Sequence, residues 1–150
     1  MPEQRSPWFR TRLFALVGAV LAAPLLFHQM RAEFEGERPT LGFIAAVFAF
    51  GVVGVLFVLA LQSANPYAGA RWTKPTWSSP INWNQPLHVF HLNGWFFTVL
   101  GLSTAIYTLA IGSSNFLAVL PLTVGLGILL GVRLSLLVFR KQFEGTSDAA

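Results

Sequence analysis

The amino-acid sequence predicts an all-α membrane protein in which four transmembrane helices form a bundle. Hydrophobic residues make up 54% of the 150 residues and charged residues only 11%, whereas an ordinary soluble domain carries roughly 25% charged residues. A soluble domain of this size leaves much of its surface exposed to water, so it has no way to hide that much apolar surface. Long apolar segments alternate with short polar ones along the chain. The lipid bilayer is therefore the expected solvent.

The first predicted helix covers residues 13–30. It follows a basic segment that contains Arg5, Arg10 and Arg12 against Glu3 alone. The apolar run is about long enough to cross the ~30 Å hydrocarbon core of a bilayer. Because it is also longer than the apolar part of a typical cleavable signal peptide, the pattern favours a transmembrane helix.

The second predicted helix covers residues 41–61, contains no charge, and follows a short polar turn. In both of the first two helices, small residues recur on one face at helical spacing. Such a strip lets another helix approach closely. The small residues are Ala15, Gly18, Ala19 and Ala22 in the first helix, and Gly42, Ala45, Ala46, Ala49 and Ala60 in the second.

A loop rich in tryptophan and proline, residues 62–86, is the longest interruption between the apolar runs. Proline at this density prevents a continuous helix, and tryptophan is enriched at the level of the lipid headgroups. The pattern predicts a loop that lies at the membrane surface. Its residues Trp72, Trp77 and Trp83 are expected to contact lipid headgroups or a partner protein.

The third and fourth predicted helices cover residues 87–111 and 116–139, and residues 142–150 are expected to form a flexible tail. Lys and Arg without acidic partners occur at the N-terminus, in the tryptophan-rich loop and after the fourth helix. The positive-inside rule then places both termini and this loop in the cytoplasm. The short loops and compact charge pattern favour a bacterial cytoplasmic (inner) membrane.

Two histidines, His88 and His91, stand three residues apart near the start of the third helix, a spacing that suits metal ligation. No carboxylate or third histidine lies nearby in the sequence. His28 belongs to the opposite end of the bundle, which argues against a haem held between it and the other two. We interpret His88 and His91 as residues that bond headgroups, loop carbonyls or water, and we predict no metal and no cofactor.

Arg133 is the only charge well inside a predicted span, and a charge at such a depth is costly and often functional. In one interpretation it extends toward the headgroups together with Arg140, which lies on the same helix face. In the other it holds a lipid phosphate or a partner's carboxylate beside His88 or His91. The sequence leaves both interpretations open.

Polar residues within the third helix are expected to hold helices together. These residues are Asn93, Thr104 and Thr108. No Asp or Glu occurs in any predicted span, and the chain has no cysteine, which excludes disulfides, thiolate nucleophiles and Cys-ligated metal centres. The basic residues flank the spans and do not form a stripe, so no nucleic-acid partner is expected. No catalytic set is recognised.

The leading hypothesis is a small multi-pass protein that acts by association in the bilayer. It would be an accessory or stabilising subunit that binds another membrane protein or a copy of itself. A second hypothesis is an oligomeric transporter or channel whose path runs between copies, along Asn93, Thr104 and Thr108. A third is a lipid-handling protein or membrane-embedded enzyme that uses His88, His91 and Arg133.

Overall fold

The computed structural model describes residues 7–33, 38–64, 72–77, 79–112 and 119–143. These residues form four long helices and one final helical turn: α1 (Pro7–Glu33), α2 (Leu41–Ala64), α3 (Pro86–Ala110), α4 (Val119–Val138) and α5 (Arg140–Phe143). Each long helix is long and apolar enough to cross a membrane, and no strand occurs in the described ranges. The predicted fold class, an all-α bundle of four transmembrane helices, is confirmed.

Several helix ends differ from the predicted bounds. Helix α1 begins at Pro7, because a proline is well accommodated in the first turn, where its missing N–H is not needed. Helix α2 continues to Ala64. Gln142 and Phe143, predicted as part of a flexible tail, are helical, and Phe143 is buried. Residues 65–71 and 78 of the predicted loop, 116–118 of the fourth helix and 144–150 of the tail lie outside the described residues.

The helices are arranged in space in the order α1, α3, α4, α2. Helix α4 contacts both α2 and α3 extensively, α2 and α3 touch only slightly, and among the described helices α1 contacts α3 alone. Consecutive helices α1 and α2 therefore lie on opposite sides of the central pair. Apart from the loop before α3, α1 depends on a single helix for its position.

Glycines of α4 allow the close approach of its two neighbours. A Cβ atom added at Gly125 would overlap the backbone nitrogen of Thr98 in α3. A Cβ added at Gly127 would lie 2.6 Å from the carbonyl oxygen of Phe48 in α2, closer than real Cβ atoms come to such a group. Packing of small residues against backbone is a usual way for transmembrane helices to associate, because lipid supplies no hydrophobic force between them.

Gly125→Ala is expected to lower the free energy of unfolding by about 1–3 kcal/mol, because the backbone of α3 has to move to admit the new methyl group. The matched control is Gly18→Ala in α1, where an added Cβ meets nothing within 4 Å. Thermal unfolding of both variants in the same detergent measures the difference. Equal unfolding temperatures for the two variants would contradict the close α3–α4 contact.

Candidate functional site at the loop end of the bundle

Part of the segment between α2 and α3 covers one end of the bundle. We call its described part, residues 72–77 and 79–85, the cap loop. Its first residue, Trp72, is 4% exposed and belongs to a core cluster with Leu59 of α2 and Leu87 of α3. The indole ring also meets Phe139 and Phe143 edge-on, at centroid distances of 5.6 and 5.7 Å. Trp72 therefore joins the ends of α2, α3 and α4.

This position corrects the prediction that Trp72 contacts headgroups or a partner protein. Tryptophan suits both a membrane interface and an apolar core, and here its ring fills the space between converging helix ends. Trp77 is half-buried, with its ring centroid 6.1 Å from that of His91 and 5.4 Å from that of Trp95. Trp83 is 64% exposed, so it is the member of the predicted trio that keeps an open surface.

Arg12 fastens the cap loop to α1. Its side chain is 2% exposed, and its Nη1 group donates hydrogen bonds of 2.7 Å to the carbonyl oxygens of Trp77 and Ser79. Bonds from a charged donor are roughly twice as strong as neutral ones. The middle of the cap loop is thus held by the one helix that packs only on α3.

Sequence reasoning treated Arg12 as a topology signal and missed this role. A usable signal was present, since Arg12 lies seven residues before Ala19 and eleven before Ala23, which places all three on one helical face. Ala19 and Ala23 are fully buried against α3. A basic residue on the buried face of a span has to find partners within the protein.

His88 holds the start of the cap loop against α3. The ring is 3% exposed, and its Nε2 lies 2.8 Å from the hydroxyl and 3.1 Å from the carbonyl oxygen of Thr73. A carbonyl only accepts, so Nε2 carries the proton. The Thr73 hydroxyl then donates to Oε1 of Gln85 at 2.9 Å, and the same oxygen accepts the Thr73 N–H at 3.0 Å.

Arg133, Arg140 and His28 do not take part in holding the cap loop through the hydrogen bonds described above. Arg133 and Arg140 are exposed, and no hydrogen bond joins Arg133 to His88 or His91 in the described part of the chain. An exposed guanidinium can extend along its helix toward the headgroups, which is the first interpretation of Arg133. His28 lies at the opposite end of the bundle, with its Nε2 3.4 Å from the Tyr107 hydroxyl.

The polar residues of α3 divide into two groups. Thr104 and Thr108 are 1% and 5% exposed, but their hydroxyls donate to carbonyls of α3 itself, Leu100 O and Thr104 O, at 2.7 Å. They fit between helices without bridging them. Asn93 is exposed, because it precedes the α4-facing Gly94 by one residue, about 100° around the helix. It makes no hydrogen bond to another helix among the described residues.

Two buried polar atoms at this end have no hydrogen-bond partner among the described residues: Nε of Arg12 and Nδ1 of His88. Within the same residues, no group of three His, Asp or Glu side chains is placed to hold a metal ion. The arrangement therefore combines a buried guanidinium, a buried imidazole and the half-buried ring of His91. Such a set can bind polar or anionic groups.

Comparison of the chain with protein families, with curated proteins and with solved structures finds no match. The coarse conclusion that the structure supports is an integral, multi-pass membrane protein with four spans. A more specific role has to be argued from the surfaces and the buried groups of this chain.

Proposed function

We propose that this protein acts by lateral association, as an accessory or stabilising subunit of a membrane complex. The observation that carries the proposal is the strip of small residues on α2, which faces away from the other helices of the chain. Every member of this α2 strip is exposed: Gly42, Ala45, Ala46, Ala49 and Ala60. A Cβ added at Gly42 would meet nothing within 4 Å.

The opposite side of α2 makes the contacts with α4. Val55 and Leu59 are buried there, and a Cβ on Gly51 would lie 3.1 Å from the backbone nitrogen of Ile128. The α2 strip is thus additional to the packing surface that the chain itself uses. Large apolar side chains on the outside are solvated by lipid, whereas a strip of small residues favours close contact with another helix.

The membrane orientation is part of the proposal. The N-terminal part of α1, the cap loop and the C-terminal part of α4 meet at one end, as the Arg12–Trp77 and Trp72–Phe139 contacts require. Arg10, Lys74 and Lys141 are exposed at this same end. By the positive-inside rule we place it in the cytoplasm, with the helices in a cytoplasmic (inner) membrane.

The association proposal predicts that filling the α2 strip removes a bound partner. In native mass spectrometry after mild extraction from the host membrane, we expect a stoichiometric second protein with the wild type. The double variant Ala46→Leu, Ala49→Leu is expected to lose about nine-tenths of it, because two added side chains separate the helices. The control Val58→Leu changes an exposed residue on another face of α2 and should retain the partner.

A wild-type protein that is extracted as a bare monomer would contradict this proposal. A homo-oligomer without a second protein would oppose the accessory-subunit role. It would show instead that copies of this chain are each other's partners.

A further inference from the structure

A groove lies between α2 and α3, with α4 as its floor. Helix α4 packs extensively on both of its neighbours, whereas α2 and α3 touch each other only slightly. The space left between them is a cavity of about 140 Å³, which we call the α2–α3 groove. Its lining consists of Val47, Phe50, Gly51, Gly54 and Val55 of α2, Phe90 of α3, and Val124 and Ile128 of α4.

The α2–α3 groove is apolar and opens sideways. None of its lining residues has a polar side chain, and apolar protein cavities of this size stay dry and bind small hydrocarbons. Val55 is buried, but the other lining residues are partly exposed, and Phe50 is 80% exposed. The groove is therefore open to the medium around the helices.

The medium at this depth is lipid hydrocarbon. On α2 the lining extends from Val47 to Val55, that is, 6 to 14 residues after the span begins at Leu41, which corresponds to a depth of about 9–21 Å. The hydrocarbon core of a bilayer is ~30 Å thick, so the acyl chains of each leaflet reach about 15 Å inward. The groove is thus at the level of the inner halves of these chains.

The core cluster beneath the cap loop closes one end of the α2–α3 groove. Val55, Phe90 and Ile128 line the groove and also pack in or against the cluster that contains Trp72. The rest of the lining extends from there toward the start of α2. The groove is therefore blind at the loop end, and a chain that enters it ends against these three residues.

Gly54 keeps the α2–α3 groove unfilled. Gly51, three residues earlier, faces α4, where an added Cβ would lie 3.1 Å from the backbone nitrogen of Ile128. A Cβ added at Gly54 would instead meet nothing within 4 Å, so close packing of helices does not require this glycine. Glycine inside a helix costs stability relative to alanine, and its effect at this position is to leave room in the groove.

We infer that the α2–α3 groove binds one acyl chain of a membrane lipid. A helix with its side chains is about 10–12 Å across, too wide for a space of about 140 Å³, and the exposed ring of Phe50 keeps its backbone at a distance. An acyl chain is narrow, flexible and apolar. In the groove it regains the dispersion contacts that the lining of an unfilled cavity lacks.

The test is photo-crosslinking of the full chain in phosphatidylcholine nanodiscs. The probe is a phosphatidylcholine with a diazirine near the end of one acyl chain, and mass spectrometry locates the labelled residues. The groove residues Val47 and Val124 are compared with Val20 and Val53, which are 49% and 61% exposed outside the groove. We expect at least about tenfold more label on the groove valines, a preference of ~1.4 kcal/mol. Equal labelling overturns the inference.

Gly54→Leu tests whether this labelling depends on the groove. The new side chain fills the groove from a position where an added Cβ meets no atom within 4 Å. It should lower the label on Val47 and Val124 at least about tenfold, to the level of the outer valines. Gly18→Leu is the matched control, because it makes the same change on α1 where an added Cβ also meets nothing within 4 Å, and it should leave the labelling unchanged.

Other occupants of the groove give different results. Unchanged labelling in Gly54→Leu places the acyl chain elsewhere and overturns the inference. Loss of a second copy or of a partner protein from Gly54→Leu in native mass spectrometry, with no excess label on the wild-type groove, assigns the groove to a side chain of that protein and also overturns it. If Gly54→Leu does not fold, the wild-type labelling ratio decides.

The inference does not depend on the association proposal, because the α2 strip and the α2–α3 groove use different residues of α2. The double variant Ala46→Leu, Ala49→Leu, which fills the strip, should leave the labelling of the groove valines unchanged. Each proposal can therefore fail without the other.

Discussion

Trp72→Ala is expected to lower the free energy of unfolding by about 3–5 kcal/mol, the range for truncating a large aromatic residue in a core. The indole ring is 4% exposed and lies among side chains of α2, α3 and α4. Its removal leaves a cavity where three helix ends meet, together with two aromatic contacts that lose their partner. Thermal or denaturant unfolding in detergent measures the change.

The matched control for this substitution is Trp83→Ala in the same loop. Trp83 is 64% exposed, so its removal should change the free energy of unfolding by no more than about 0.5 kcal/mol, as is usual for surface positions. If the two variants unfold at the same temperature, Trp72 is not part of the core. The cap loop would then be a surface platform, as its composition alone predicts.

Arg12→Met is expected to destabilise the protein by about 2–3 kcal/mol. The substitution removes two hydrogen bonds from a charged donor, each worth about 1.5–3 kcal/mol. It also leaves the carbonyls of Trp77 and Ser79 without this donor. Removal of a buried cation relieves its desolvation, so the net loss is smaller than the sum of the two bonds.

Arg10→Met serves as the control for Arg12→Met, because Arg10 is exposed two residues away on the same helix. It removes the same charge and adds the same side chain, but it breaks no hydrogen bond to the described residues of the cap loop. Its unfolding temperature should match the wild type closely. An Arg12→Met protein as stable as the Arg10→Met control would show that the cap loop does not depend on α1.

The four helices could be predicted from the sequence, because length and hydropathy decide whether a segment spans a bilayer. The start of α3 was predicted one residue late, at residue 87, because Pro86 was assigned to the loop, although a proline suits the first turn of a helix. The burial of side chains within the cap loop could not be predicted, because tryptophan is favoured both at the headgroups and in a core. Only the converging ends of the helices decide that Trp72 is buried and Trp83 exposed.

Helix pairing inside the bundle could not be predicted for a similar reason. Strips of small residues were recognised on α1 and α2, but a strip does not reveal which helix it meets. The closest approaches are made instead by Gly101 of α3 and Gly125 of α4, which lie at the contact between these two helices, while the α2 strip faces outward. The roles of Arg12 and His88 likewise depend on a loop that folds back across the bundle, which no local pattern encodes.

Hydrogen exchange of the backbone amides tests most directly the central claim, that the cap loop is a folded part of the bundle fastened to α1 and α3. Three amides of the cap loop donate to side chains of the same loop. The amide of Thr73 donates to Gln85, the residue just before α3, and the amides of Thr76 and Ser79 donate to each other's side chains. In the wild type we predict exchange at least about tenfold slower than in an unstructured peptide, and in Arg12→Met a loss of this protection around residues 76–79. Exchange of these wild-type amides at the rate of a free peptide would contradict the claim.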